Sequence, residues 1–420
     1  MKRRVSIYQV FPRVYSKEGK LNNVTKDMKR IADMGFDYLY LLPIHPIGKI
    51  GRKGSLGSPY SIADYLSVDP ELGTLDDFKD LISEAHKYGI KVMMDIVINH
   101  TANDHYWVNE HPEYYLLDKD GKPARKAAEW TDITDLNYDN LELRKELIAM
   151  LTYWAKLGVD GYRCDVASGV PYEFWKEADQ AIKKINPDFY WLAESTHVAF
   201  VQGARRNGYK ATSDAKLAEV FDTLYPYSFD AEYKDALNGK DLKNFCHMLN
   251  FTYTEFNEHV NELIYLENHD QKRIADVLNN NKIRMNNWLA FSFLYDGIAF
   301  VYAGQEAYNT VQPTLFDKME VDWSKLDHDY EEKLCSLNKL RAKVLANVND
   351  CYVEADNALI VHLYKNDEEL LGVFDVNDIK GSIKLDIADN EYHDLINDKK
   401  ITIVNNEVES KNCPLLIKVK

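Results

Sequence analysis

The chain has 420 residues, a length that favours one large domain with a smaller companion. Its net charge of −16, with no basic stripe to balance it, argues against a nucleic-acid partner and suits a neutral substrate. Tyrosine outnumbers phenylalanine 28 to 16, which fits surfaces that stack and hydrogen-bond together, as sugar sites do.

The opening stretch "MKRRVSIYQVFPRVYS" turns polar at Ser6 and Gln9, so no signal peptide is read, and no run is apolar enough to span a bilayer. A strand is expected at "SIYQVFP". Val24, Met28 and Ile31 then share a helical face that Gly35 ends before the strand "FDYLYLLPI". The same grammar returns with Thr74 as N-cap, Asp77 in the first turn, and Phe78, Leu81, Ile82 and Ala85 on one face. Gly89 stops that helix and "IKVMMDIVIN" follows. It returns again at "MLTYWAKLG" before "VDGYRCDV". Helix, glycine, strand in alternation means βα units and a parallel sheet. Further strands at "FYWLAE", "EVFDTLY", "LIYLEN" and "GIAFVYAG" bring the count to about eight, the number a closed (β/α)8 TIM barrel needs. The rival, a doubly wound open sheet, lacks its glycine-rich loop after the first strand.

The connection from about Thr101 to Tyr138 is long for a barrel loop, and insertions at that end of a strand shape the active site. After about Asp350 the texture becomes β-rich ("ALIVHLYK", "LLGVFDV", "GSIKLDI", "ITIVNN") with polar turns, an antiparallel β-domain. The expected division is a barrel over 1–100 and 139–345, a short insertion over 101–138, and a β-sandwich over 346–420. The five cysteines are scattered and form no C-x-x-C pair, so they read as reduced residues and not as a zinc site or disulfide frame. Cytoplasm is the expected compartment.

Polar residues gather at the strand ends. The third strand ends in Asp95, Asn99 and His100, the fourth carries Arg163 and Asp165, the fifth ends at Glu194, and the seventh at Asn268, His269 and Asp270. Alone, Arg-x-Asp reads as a structural ion pair, and a single polar strand end as a helix cap. In a barrel these ends converge on one pocket, and four of them together carry three carboxylates besides Asp95, two histidines and an arginine. Retaining cleavage of a glycosidic bond needs a nucleophilic carboxylate and a carboxylic acid roughly 5 Å apart. A third carboxylate can stabilise the cationic transition state, and a nearby arginine can hold the nucleophile ionised.

The ordered set "DIVINH", "GYRCDVAS", "AES" and "ENHD" resembles the α-amylase family of glycoside hydrolases. "DITDLN" with Asp135, Leu136 and Asn137 is similar to that family's segment in domain B, and "GSPYSIADY" and "YAGQE" fit as well. Together these motifs run from about Tyr8 to Trp323. The resemblance implies that Asp165 is the nucleophile, Glu194 the general acid/base and Asp270 the transition-state stabiliser. It implies that Tyr60, His100, Arg163 and His269 surround the sugar at the cleavage point. Asp95 is expected to support the site from below, and Glu306 to be structural.

Departures narrow the reading. Where many members carry a Lys-His pair after the nucleophile, this chain has Ser168 and Gly169, and "SKEGKLNN" lacks an Asp-rich calcium pattern. No metal or other cofactor is therefore expected, although Asn99, a frequent calcium ligand of the family, is present. "DVAS" is similar to the neopullulanase and cyclomaltodextrinase branch. The expected activity is retaining hydrolysis of α-glucosidic bonds, mainly α-1,4, in maltooligosaccharides, with the α-glucan as the only partner implied. The alternatives are an α-1,6-glucosidase or a transglycosylase on the same site, and an inactive sugar-binding homologue.

Overall fold

A computed structural model describes residues 2–256, 259–410 and 412–420. Eight short parallel strands close a barrel in strict chain order: Ser6–Val10, Tyr38–Leu41, Lys91–Ile96, Gly161–Cys164, Tyr190–Ala193, Thr223–Leu224, Asn261–Tyr265 and Ile298–Tyr302. The last strand pairs with the first through Ser6↔Ala299 to Gln9↔Tyr302, which closes the ring.

Period-two alternation sorts each strand between two layers. Ile7, Tyr38, Tyr40, Met93, Tyr190, Leu192, Leu263, Phe300 and Tyr302 fill the barrel interior. Their sequence neighbours, such as Tyr8, Leu39, Val92, Tyr162, Trp191 and Val301, pack outward on the helices. Arg163 continues the inward series while Cys164 lies buried in the outward layer.

The helix Leu75–Lys87 starts where the sequence indicates. Thr74 Oγ1 accepts from Asp77 N (3.1 Å) and Asp77 Oδ2 from Thr74 N (2.7 Å), a reciprocal capping box. Two readings need correction. The helical face Val24–Ile31 is broken into Leu21–Lys26 and Met28–Asp33, with Asp27 between them accepting from the Tyr15 hydroxyl at 2.8 Å. The sixth strand is two residues, not the seven of "EVFDTLY", because Val220 and Phe221 donate back to Leu217 O and finish a helical turn.

After the third strand a small two-stranded antiparallel sheet pairs His100–Ala102 with Ile133–Asp135. Beyond the barrel, a six-stranded antiparallel sheet is joined by the two-stranded sheet of Ser382–Lys384 and Glu407–Glu409. Leu359, Val361 and Leu363 face the barrel, whereas Ile360, Leu371 and Val373 face Ile383 and Val408 of the smaller sheet. Among the described residues no helix is long and apolar enough to cross a membrane, and all five cysteines are free.

Candidate active site

Strand register delivers the polar side chains to one end of the barrel. Asp95 lies level with Arg163 in the ladder between the third and fourth strands. Asp165 N is held by Ile96 O (2.8 Å) and Glu194 N by Cys164 O (3.0 Å), so both carboxylates leave adjacent strands at the same height. Asp165, Glu194, Asp270, Tyr60 and His100 line a single cavity of about 260 Å³ with Trp130, Val166 and Phe316. Arg163 and His269 lie buried just beneath it.

Arg163 is shared among three carboxylates. Its Nη1 donates to Asp95 Oδ1 (2.9 Å) and to Asp165 Oδ1 (3.0 Å), and its Nη2 lies 3.0 Å from Glu194 Oε2. The Glu194 contact is off the N–H axis, so it is an ion pair and not an aligned hydrogen bond. Glu194 Oε2 instead accepts the Val166 backbone N–H at 2.8 Å. Sequence reasoning expects Arg163 to hold Asp165 ionised. The structure divides that single cation, so burial and then Glu194 push the Asp165 carboxyl well above its ordinary range despite Arg163.

Asp95 accepts from Tyr40 (2.6 Å) and Tyr60 (3.0 Å) besides Arg163 and is fully buried, which places it below the cavity. Tyr60 stacks on His269 with ring centroids 5.6 Å apart, and its hydroxyl is 2.6 Å from His269 Nε2. His269 Nε2 also lies 3.1 Å from Asp270 Oδ2. Burial raises the Asp270 carboxyl, but His269 and Arg163 outweigh it and hold the group below the ordinary range. Gln9 Nε2 is 2.9 Å from His269 Nδ1. Sequence reasoning missed Gln9, although a buried amide on the inward face of a strand was a signal. Burial lowers the His100 imidazole's pKa and favours its neutral form. Glu306 accepts from Tyr8, Arg30 and Gly304 N, away from the cavity.

Val166 adopts φ 42° and ψ 45°, a left-handed conformation that is strained for a β-branched residue. The turn aims its N–H at Glu194. Gly169 N closes the turn on Val166 O at 2.7 Å. Gly169 also permits a close approach, since a Cβ there would lie 2.3 Å from Asn99 Oδ1.

Lys126, from the insertion, fills the space that this packing leaves. Its ammonium donates to Asn99 Oδ1 (2.7 Å) and Gly169 O (2.8 Å) and lies 4.0 Å from Asp135 Oδ1. Asn99 Nδ2 donates to Asp135 Oδ1 at 2.8 Å. These residues do not fit a calcium ion, because the lysine cation already takes the oxygens that would hold it. Among the described residues no group of three or more His, Cys, Asp or Glu side chains is placed to bind a metal. Nothing in the sequence singled out Lys126, one of three lysines in a polar insertion.

Comparison with known proteins agrees with this fold. A family model described as alpha amylase, catalytic domain, matches residues 9–132 and 126–344. A second, the bacterial alpha amylase C-terminal domain, matches residues 351–417. The solved structure of an alpha-amylase from Lactobacillus plantarum is 36% identical, with a TM-score of 0.93 over 99% of this chain and 98% of that one. Alpha-amylase 3 of Dictyoglomus thermophilum is 27% identical over 338 residues, 71% of this chain and 63% of that protein. An alpha-1,4-glucan:maltose-1-phosphate maltosyltransferase of Rhodospirillum rubrum is 37% identical over 212 residues, 45% of this chain and 31% of that protein. The chain thus matches less than two thirds of the length of either curated relative.

Proposed function

The chain belongs to the α-amylase family of glycoside hydrolases, and we propose that it cleaves α-glucosidic bonds, mainly α-1,4, in maltooligosaccharides and starch-derived glucans with retention of configuration. The observation that carries this reading is the guanidinium of Arg163 set between Asp165 and Glu194. A rigid planar fork contacting both carboxylates holds them side by side, as a retaining mechanism needs, since its two carboxyl groups work about 5 Å apart where an inverting pair stands about 6.5–9.5 Å apart.

In the first step Asp165 attacks the anomeric carbon while Glu194, as the general acid, gives its proton to the departing glycosidic oxygen. The bond to the leaving chain breaks as the glycosyl–aspartate ester forms. In the second step Glu194 takes a proton from water, which displaces Asp165 and regenerates both groups. Asp270, held anionic by His269, faces the developing oxocarbenium charge. Tyr60 offers its ring as the floor for the sugar, and His100, His269 and Arg163 complete the surround. In this reading the barrel comprises 1–100 and 139–345, the insertion 101–138 and the terminal β-domain 346–420.

A second reading follows from the maltosyltransferase likeness, in which a sugar hydroxyl in place of water attacks the same intermediate. Proton NMR of maltoheptaose digestion tests the first: the α-anomer is expected before mutarotation, and an initial β-anomer would refute the nucleophile assignment. Longer oligosaccharides appearing in the same digest would favour transfer.

A further inference from the structure

The loop after the second strand crosses the rim of the cavity as a strap tied at both ends. At one end Lys53 Nζ pairs with Asp132 Oδ1 of the insertion at 2.9 Å, and Asp104 Oδ2 accepts Lys49 N at 2.7 Å. At the other end Ser55 N and Oγ donate to Asp317 Oδ1 (2.8 and 2.7 Å), and Leu56 N donates to Phe316 O (2.8 Å) in the loop after the eighth strand. Gly54, at φ 63°, allows this contact, because a Cβ there would lie 2.6 Å from Phe316 Cβ. Lys53 and Phe316 line the same cavity as Asp165 and Glu194. The strap is therefore a wall of the reacting site.

Topology decides which side it closes. Glu194 ends the fifth strand, whereas the strap, itself part of the loop after the second strand, is tied on one side to the insertion after the third and on the other to the loop after the eighth, an arc that includes the first. In a ring of eight, the first and fifth strands are opposite. The acid faces the leaving chain, so the strap stands where a glucan would continue beyond the reacting sugar on its non-reducing side.

We propose that the segment Lys49–Ser58, fastened through Lys53 and Ser55, blocks the non-reducing side of the reacting sugar and makes the enzyme release units from chain ends. This inference rests on the hydrolase reading above. It makes Lys53, Ser55 and Phe316 specificity-determining residues, acting by excluding a glucan that runs through the site.

The test uses maltoheptaose carrying a reducing-end fluorophore, with and without a 4,6-O-ethylidene group on the non-reducing glucose, followed by chromatography. The unblocked sugar should lose a short terminal unit first, and the blocked sugar should react at least about 100-fold more slowly. Lys53→Ala and Asp317→Ala should each raise the blocked-to-unblocked rate ratio at least about 10-fold by loosening one tie. Equal rates on the two sugars would overturn the wall, with the glucan then leaving past Asp270 into the neighbouring cavity of about 670 Å³ beside Tyr233 and Gln312. Cleavage of neither sugar would instead overturn the hydrolase reading beneath it.

Discussion

Replacing Gly169 by alanine puts a methyl group 2.3 Å from Asn99 Oδ1, 3.0 Å from Asn99 Cγ and 3.3 Å from Val166 Cγ1. Asn99 has no free direction of retreat, because its oxygen accepts from Lys126 at 2.7 Å and its amide donates to Asp135 at 2.8 Å. Overpacking a tight site costs roughly 1–3 kcal/mol, and a displaced hydrogen bond to a buried charge about 1.5–3 kcal/mol. These terms overlap, so a loss of about 3 kcal/mol is expected for Gly169→Ala. Urea unfolding followed by tryptophan fluorescence reads this as a lower midpoint at unchanged slope. Turnover should fall as well, since Gly169 N holds Val166 O and Val166 N holds Glu194. In an Asn99→Ala background the same change should cost less than about 1 kcal/mol, because the obstructing amide is gone. A single mutant within about 0.5 kcal/mol of the parent would refute the reasoning, showing that Asn99 is not held by Lys126.

Asp165→Asn should abolish turnover, and Glu194→Gln should lose less on an activated aryl glycoside than on maltoheptaose, since a good leaving group needs less proton donation. Paired rate measurements check this, and equal losses for Glu194→Gln would deny it the acid role. Lys126→Met removes the buried cation and should lower thermal stability and kcat, while EDTA leaves the parent protein's melting temperature unchanged. An EDTA-induced drop reversed by calcium would contradict the lysine-filled cage. Glu262, buried at the start of the seventh strand, has its carboxyl raised by burial to about 7. Its folded pKa lies above the unfolded value, so it lowers stability increasingly as pH rises from about 4.5 to 7. Glu262→Gln should therefore be more stable than the parent by about 1–3 kcal/mol at pH 8 and equal to it near pH 4, as denaturant titrations at both values would reveal.

Local pattern determined the architecture of this protein. Helix faces ending at Gly35 and Gly89, followed by strands buried on both sides, specify βα units whatever lies elsewhere in the chain. Side-chain alternation placed Arg163 and Asp165 on one face and Cys164 on the other, and strand ends marked where Glu194, His269 and Asp270 would meet. Such information travels within ten residues or so. The division of Arg163 among Asp95, Asp165 and Glu194 does not, because it depends on register between strands far apart in sequence, and with it goes the sign of the Asp165 shift. Gln9 under His269 and the strap from Asp132 to Asp317 likewise join segments that only ring closure brings together. Even the two-residue sixth strand reflects competition, a helical turn on Leu217 taking residues whose β-propensity alone favoured extension. Lys126 is the clearest case. No spacing marks it among its neighbours, and its role exists only because folding removes water from three oxygens that then need a cation.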